Sequence, residues 1–183
     1  MLIGNTMSEG IMFGGFPMPV EQWEEQKKNA YGSYAQEYLK LANVKAPEDI
    51  SRVARDTHTG MVGNRVLCEL ALRHGHQPCY LYNFDHNLPG NDDGSFHSSE
   101  LWYVTIQRCW RPMTGLDYDL SLAMNRYWAN FAKHKNPNGE GLPLWKPYAA
   151  DDKENMIFQD TPVCKPVDEN PLQAFVKKVM LES

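Results

Sequence analysis

Two side chains in this 183-residue sequence, Glu9 and His97, have the types and order that hydrolytic chemistry needs. Glu9 stands just past the short apolar run that opens the chain. His97 follows Gly94-Ser95-Phe96 at the mouth of a loop that comes after the strand-like run Cys79-Tyr80-Leu81-Tyr82-Asn83-Phe84. A strand-end acid followed later by a strand-end histidine is two thirds of a Ser-acid-His triad. The missing third is a serine in a tight strand-to-helix turn, earlier in the chain. No Gly-x-Ser-x-Gly occurs; the nearest approach, Thr6-Met7-Ser8-Glu9-Gly10, lacks the first glycine and reads as the turn that carries the acid. Taken singly, His97 also reads as a surface loop residue and Glu9 as a helix-start carboxylate.

Other constellations carry less. His74-Gly75-His76 with His86 lacks further ligands at metal spacing and reads as exposed loop residues. The Asp85–Gly94 stretch resembles a calcium loop, but counted from Asp85 the residues at positions five and twelve are Pro89 and Phe96, where oxygen ligands are needed. Trp102, Trp110 and Trp128 suit either a pocket lining or the core. No cofactor and no metal is implied. Cys68, Cys79, Cys109 and Cys164 form no C-x-x-C pair and read as free, mostly buried thiols.

A net charge of −5 offers no basic footprint for a phosphate backbone, so nucleic acid is not an expected partner. No run is long and apolar enough for a membrane helix. The absence of any Asn-x-Ser/Thr acceptor favours a cytoplasmic setting, while location itself stays open because a leader would belong to an N-terminus lying upstream.

The elements that must position Glu9 and His97 follow from periodicity. Met1 to Gly4 reads as the end of a buried strand and residues 79–84 as a central one. A helical pattern runs from Pro19 through Val20, Trp23, Ala30, Tyr34, Tyr38 and Leu41, interrupted at Gly32. Pro47-Glu48-Asp49 starts a second helix. Others are predicted from Met61 to Arg73, Asp117 to His134 and Pro171 to Leu181, with an irregular or hairpin-like wrap from Leu142 to Pro166. Helices alternating with short apolar strands indicate an α/β class with a mostly parallel sheet. With only two or three strands in view, a long sheet edge is left open, which favours aggregation of the chain by itself.

These residues resemble the type-B carboxylesterases, the family that includes the cholinesterases. The resemblance rests on Gly4-Asn5-Thr6-Met7-Ser8-Glu9-Gly10 with Phe13 beyond it, and on Gly94-x-x-His97 with Glu100 three positions on. It extends to Tyr127-Trp-Ala-Asn-Phe-Ala-Lys133, Asn136-Pro137-Asn138, Leu142-Pro-Leu-Trp-Lys-Pro-Tyr148 and Asp56, and so covers essentially the whole chain. The spacing of acid and histidine is similar to that of compact microbial members.

The resemblance implies the C-terminal portion of an α/β-hydrolase fold: residues 1–183 as the last strands of the sheet with their flanking helices, and the serine elbow and glycine-rich oxyanion loop absent. It implies Glu9 and His97 as triad members, a small carboxylic ester as substrate, and the N-terminal half of the same hydrolase as partner, without which the chain is inactive. A non-enzymatic binding domain, by analogy with cholinesterase-like adhesion proteins, is the alternative.

Overall fold

All five residues of one strand, Tyr80–Phe84 (β2), are buried, as a strand covered on both faces requires. In the computed structural model, which describes residues 1–9, 16–76, 78–90, 94–105 and 113–183, β2 lies between two parallel neighbours. These are β1 (Leu2–Thr6) and β3 (Glu154–Phe158), and β4 (Val163–Pro166) returns antiparallel along β3. The sheet order is β1-β2-β3-β4. The mostly parallel α/β sheet read from the sequence is present, with four strands among the described residues rather than two or three. The additional strands are the hairpin around Met156-Ile157-Phe158, whose short pieces lie in the stretch read as a wrap.

The helices are α1 (Val20–Tyr31), α2 (Ala35–Ala42), α3 (Pro47–Asp56), α4 (Thr59–Arg73), α5 (Leu101–Val104), α6 (Gly115–His134) and α7 (Pro171–Glu182). A short 3₁₀ turn, Gly32–Tyr34, separates α1 from α2 at the expected interruption, where Gly32 takes a φ of +52°. The Asp49 carboxylate turns back to accept the Lys45 and Ala46 amides, and so caps α3. None of the helices among the described residues is long and apolar enough to cross a membrane. Phe13, Cys109 and Trp110 lie outside the described residues.

The chain divides into two compact units, one of residues 1–8 and 67–167, the other of residues 9–66 and 168–183. The core of the first is aromatic: Tyr80, Tyr82, Phe84, Tyr103, Tyr127, Trp145 and Phe158. Trp145 is completely buried and donates its indole N–H to the Leu81 carbonyl at 3.0 Å. Its backbone is held on both sides by one side chain. Asn138 Oδ1 accepts the Trp145 amide at 2.7 Å, while Asn138 Nδ2 donates to the Trp145 carbonyl at 2.9 Å. The Asn-Pro-Asn and Leu-Pro-Leu-Trp segments are thus a single device that presses an indole against β2. In this unit Trp128 packs against Tyr82 and Trp145, and Trp102 against Phe96, so both are partly buried against the edge of the core. The second unit packs Trp23, Tyr38, Ile50, Val53, Val62, Leu172, Phe175 and Val176 together. Its buried Arg65 donates to Glu169, Gln173 and the Asp168 carbonyl. Asp56 accepts from the α7 cap residue Asn170, a tie between two helix ends.

His86 departs from the exposed-loop reading. It is buried just after β2, with Nδ1 2.9 Å from Asp160 Oδ1 and Nε2 2.8 Å from Asp117 Oδ1. The same Asp117 oxygen accepts the Tyr103 hydroxyl, and its other oxygen accepts the Thr114 amide and hydroxyl, which starts α6 two residues earlier than periodicity predicts. Burial opposes the charge on Asp117. The hydrogen bonds from His86, Thr114 and Tyr103 outweigh it and hold the carboxyl down at about 2, against an ordinary 3.8. A carboxyl depressed in the folded state adds stability that is complete above about pH 4 and is lost as pH falls through about 2. Asp117→Asn is therefore expected to destabilise the chain by about 1–3 kcal/mol near neutral pH. That difference should shrink between about pH 4 and pH 2, as urea unfolding at stepped pH would measure.

Candidate functional site

The segment that carries His97 is built by three residues with separate physical tasks. Gly94 has a φ of +87°, a conformation that calls for glycine, and a Cβ there would run into the Ser8 hydroxyl, which would have to turn aside. Ser95 is buried and joins the ends of two strands. Its hydroxyl donates to the Phe84 carbonyl at 2.7 Å and accepts the Met7 amide at 3.0 Å, while its own carbonyl accepts the Ser8 amide at 3.1 Å. Phe96 packs edge-on against Trp102, with ring centroids 5.9 Å apart. His97 then stands exposed at the start of a turn closed by the Ser99 amide on the Phe96 carbonyl. The next residue, Ser98, takes a φ of +67°, an uncommon conformation for a residue with a Cβ and one that concentrates at functional turns.

Glu9 follows Ser8 directly and belongs to the second unit. There its carboxylate reaches the amino end of α4: Glu9 Oε2 lies 3.1 Å from where a Cβ on Gly60 would stand, and His58 Nδ1 lies 2.9 Å from the same point. His58 Nδ1 accepts the Gly60 amide at 3.1 Å. The amino end of a 15-residue helix presents its partial positive charge to the Glu9 carboxylate. His58 next to Glu9 was not singled out from the sequence. A histidine beside two threonines carries no spacing signal, and only the chain path from Glu9 to α4 brings them to one place.

Two buried hydroxyls beside these segments, Thr6 Oγ1 at the end of β1 and Ser99 Oγ in the His97 turn, have no hydrogen-bond partner among the described residues. No group of three or more His, Cys, Asp or Glu side chains among the described residues could hold a metal ion, and His74 and His76 are exposed. What the arrangement offers is an accessible imidazole on a rigid, strand-anchored turn and a carboxylate at a helix start.

Comparison with known proteins gives this geometry a context. The family model described as "Carboxylesterase family" matches residues 3–176. Carboxylesterase 4A of Bos taurus is 39% identical over 82 residues, which cover 42% of this chain and 15% of that protein. Cocaine esterase of Homo sapiens is 35% identical over 96 residues, covering 45% of this chain and 16% of that protein. Among solved structures, a PNB esterase shares the fold with a TM-score of 0.73 at 20% identity, covering 96% of this chain and 37% of that one. The chain thus matches a minor part of the length of these relatives.

Gly94→Ala tests the geometry of the histidine segment. It is expected to lower the unfolding free energy by about 1–3 kcal/mol, through a strained φ together with the Ser8 contact. Adding Ser8→Gly should recover the contact part and leave the φ part, a split that a double-mutant cycle by urea unfolding would measure.

Proposed function

Since the chain belongs to the carboxylesterase family, we propose that it is the C-terminal part of a serine carboxylic ester hydrolase, contributing the acid and the histidine of the triad. The observation that carries this reading is the Ser95 tie. The residue before Glu9 and the residue two before His97 are hydrogen-bonded to each other, so the segments leading to acid and base leave the sheet side by side.

In the proposed mechanism His97 takes the proton from a serine hydroxyl during attack on the ester carbonyl and returns it to the departing alcohol. Exposure of the imidazole at the turn suits an approach by substrate and nucleophile. Glu9 holds the imidazole in the tautomer that leaves the working nitrogen free, and stabilises the imidazolium that forms. The serine and the backbone N–H groups that stabilise the tetrahedral oxyanion come from an N-terminal half that carries the elbow. The substrate class is a small carboxylic ester.

The chain by itself is expected to leave p-nitrophenyl esters and a fluorophosphonate probe untouched. Mixed with an elbow-bearing N-terminal half from a family member, it is expected to yield both ester turnover and serine labelling. In that complex His97→Ala should lower kcat by about 10²- to 10⁴-fold. Turnover by the chain alone that survives His97→Ala, or a complex indifferent to it, would refute the assignment. A complex that forms tightly but never turns over an ester would point to a binding domain instead.

A further inference from the structure

Cys68 and Cys79 read from the sequence as separate buried thiols, and the fold puts them together. Cys68 lies on α4 and Cys79 immediately before β2, and both are buried, at 0% and 1% exposure, in one apolar cluster with Leu81 and Tyr148. Ile3, Ala71, Leu72 and Val167 pack around it. Both thiols belong to that one cluster, and neither is in a disulfide. Their backbones are held independently. Cys68 sits in the regular body of a helix. Around Cys79, its carbonyl accepts the Tyr148 amide at 2.8 Å, the Pro78 carbonyl accepts the chain's N-terminal ammonium at 2.7 Å, and the Tyr80 amide donates to the Met1 carbonyl at 2.7 Å. Side-chain rotation is the motion left to the sulfurs.

From this geometry we infer that Cys68 and Cys79 are a modification site, a dithiol that an organic disulfide converts to a disulfide fastening α4 to the entry of β2. One thiol loses its proton and attacks a sulfur of the oxidant, whose other sulfur leaves as a thiolate and is protonated. The second cysteine then attacks the mixed disulfide and releases the second thiol. Two S–H bonds are lost, one S–S bond forms, and the oxidant is reduced to two thiols. The apolar surroundings set the rate. Burial, and then the neighbouring Cys79 thiol, push the Cys68 thiol above its usual range, so the pair reacts slowly while the core around it stays closed. Once closed, the bond is shielded from reductants by the same packing. Oxidation is therefore slow in onset, specific in pairing and slow to reverse.

The test is incubation of the folded chain with excess glutathione disulfide, until the half-buried Cys164 has formed its mixed disulfide and so serves as an internal clock. The chain is then unfolded in guanidinium with iodoacetamide and its peptides are mapped by mass. The inference requires Cys68 and Cys79 to resist alkylation and to appear as one disulfide-linked peptide pair, with the Cys68 thiol of Cys79→Ala carrying glutathione or iodoacetamide instead. It is overturned if both cysteines are alkylated in full, if each carries its own glutathione, or if either links to Cys109 or Cys164. The outcome is independent of ester hydrolysis, so it stands or fails apart from the functional assignment.

Discussion

The hydroxyl of Ser95 is the constraint on which the described part of the site depends. It spans the ends of β1 and β2, donating to the Phe84 carbonyl at the last ladder position of β2 and accepting the Met7 amide just beyond β1. A buried backbone donor or acceptor at a strand end costs free energy unless something completes it. Here the Met7 amide and the Phe84 carbonyl are paired with each other at 3.0 Å, and the Ser95 hydroxyl adds a second bond to each, which holds the returning loop in place. Gly94 permits the close approach, and Ser98 in a left-handed conformation turns the chain away on the far side of His97. The histidine is exposed, yet the four residues around it have little freedom.

A second set of interactions keeps β2 where that tie can act. Trp145 presses on the strand from below through the Leu81 carbonyl, and Asn138 grips the backbone of Trp145 with both ends of its amide. Tyr127 adds its hydroxyl to the Pro143 carbonyl of the same segment. Just past β2, His86 reaches to Asp117 at the start of α6 and to Asp160 beyond β3, so that three segments leaving the sheet share one polar cluster. Polar clusters of this kind are favourable only when nearly every member is satisfied, which makes them specific about register. The residues most diagnostic of the family in sequence thus serve two different ends: Gly94 and His97 shape the candidate site, and the Asn-Pro-Asn and Trp segments hold the strand beneath it.

Much of this was legible in the sequence. Helical periodicity located α1 through α4, α6 and α7 to within a few residues, because each buries one stripe and the stripe recurs at the helical spacing. The break at Gly32 was visible for the same local reason. α6 starts two residues before the point that periodicity predicts, because its cap is set by Asp117, whose carboxylate turns back on Thr114 rather than facing solvent. The β3–β4 hairpin was only half seen, since strands of four or five residues among prolines carry too little alternation to distinguish them from a wrap. Glu9 and His97 could be picked out by their place after apolar runs and by resemblance. His86, His58 and the Cys68–Cys79 pair could not, because their partners lie far away along the chain or on elements whose facing is not encoded locally.

By itself, then, the sequence determined the α/β class, most of the helices and the family its motifs point to, and named Glu9 and His97 as candidates, because local periodicity and short motifs are properties of neighbouring residues. Only the tertiary structure decided that Ser95 joins the strand ends, that His86 is enclosed by carboxylates and that two remote thiols meet. Such pairings depend on which side chains the packed sheet and helices bring within a few ångströms. Burial then determines whether each pairing is a cost or a tie, and no spacing along the chain records it.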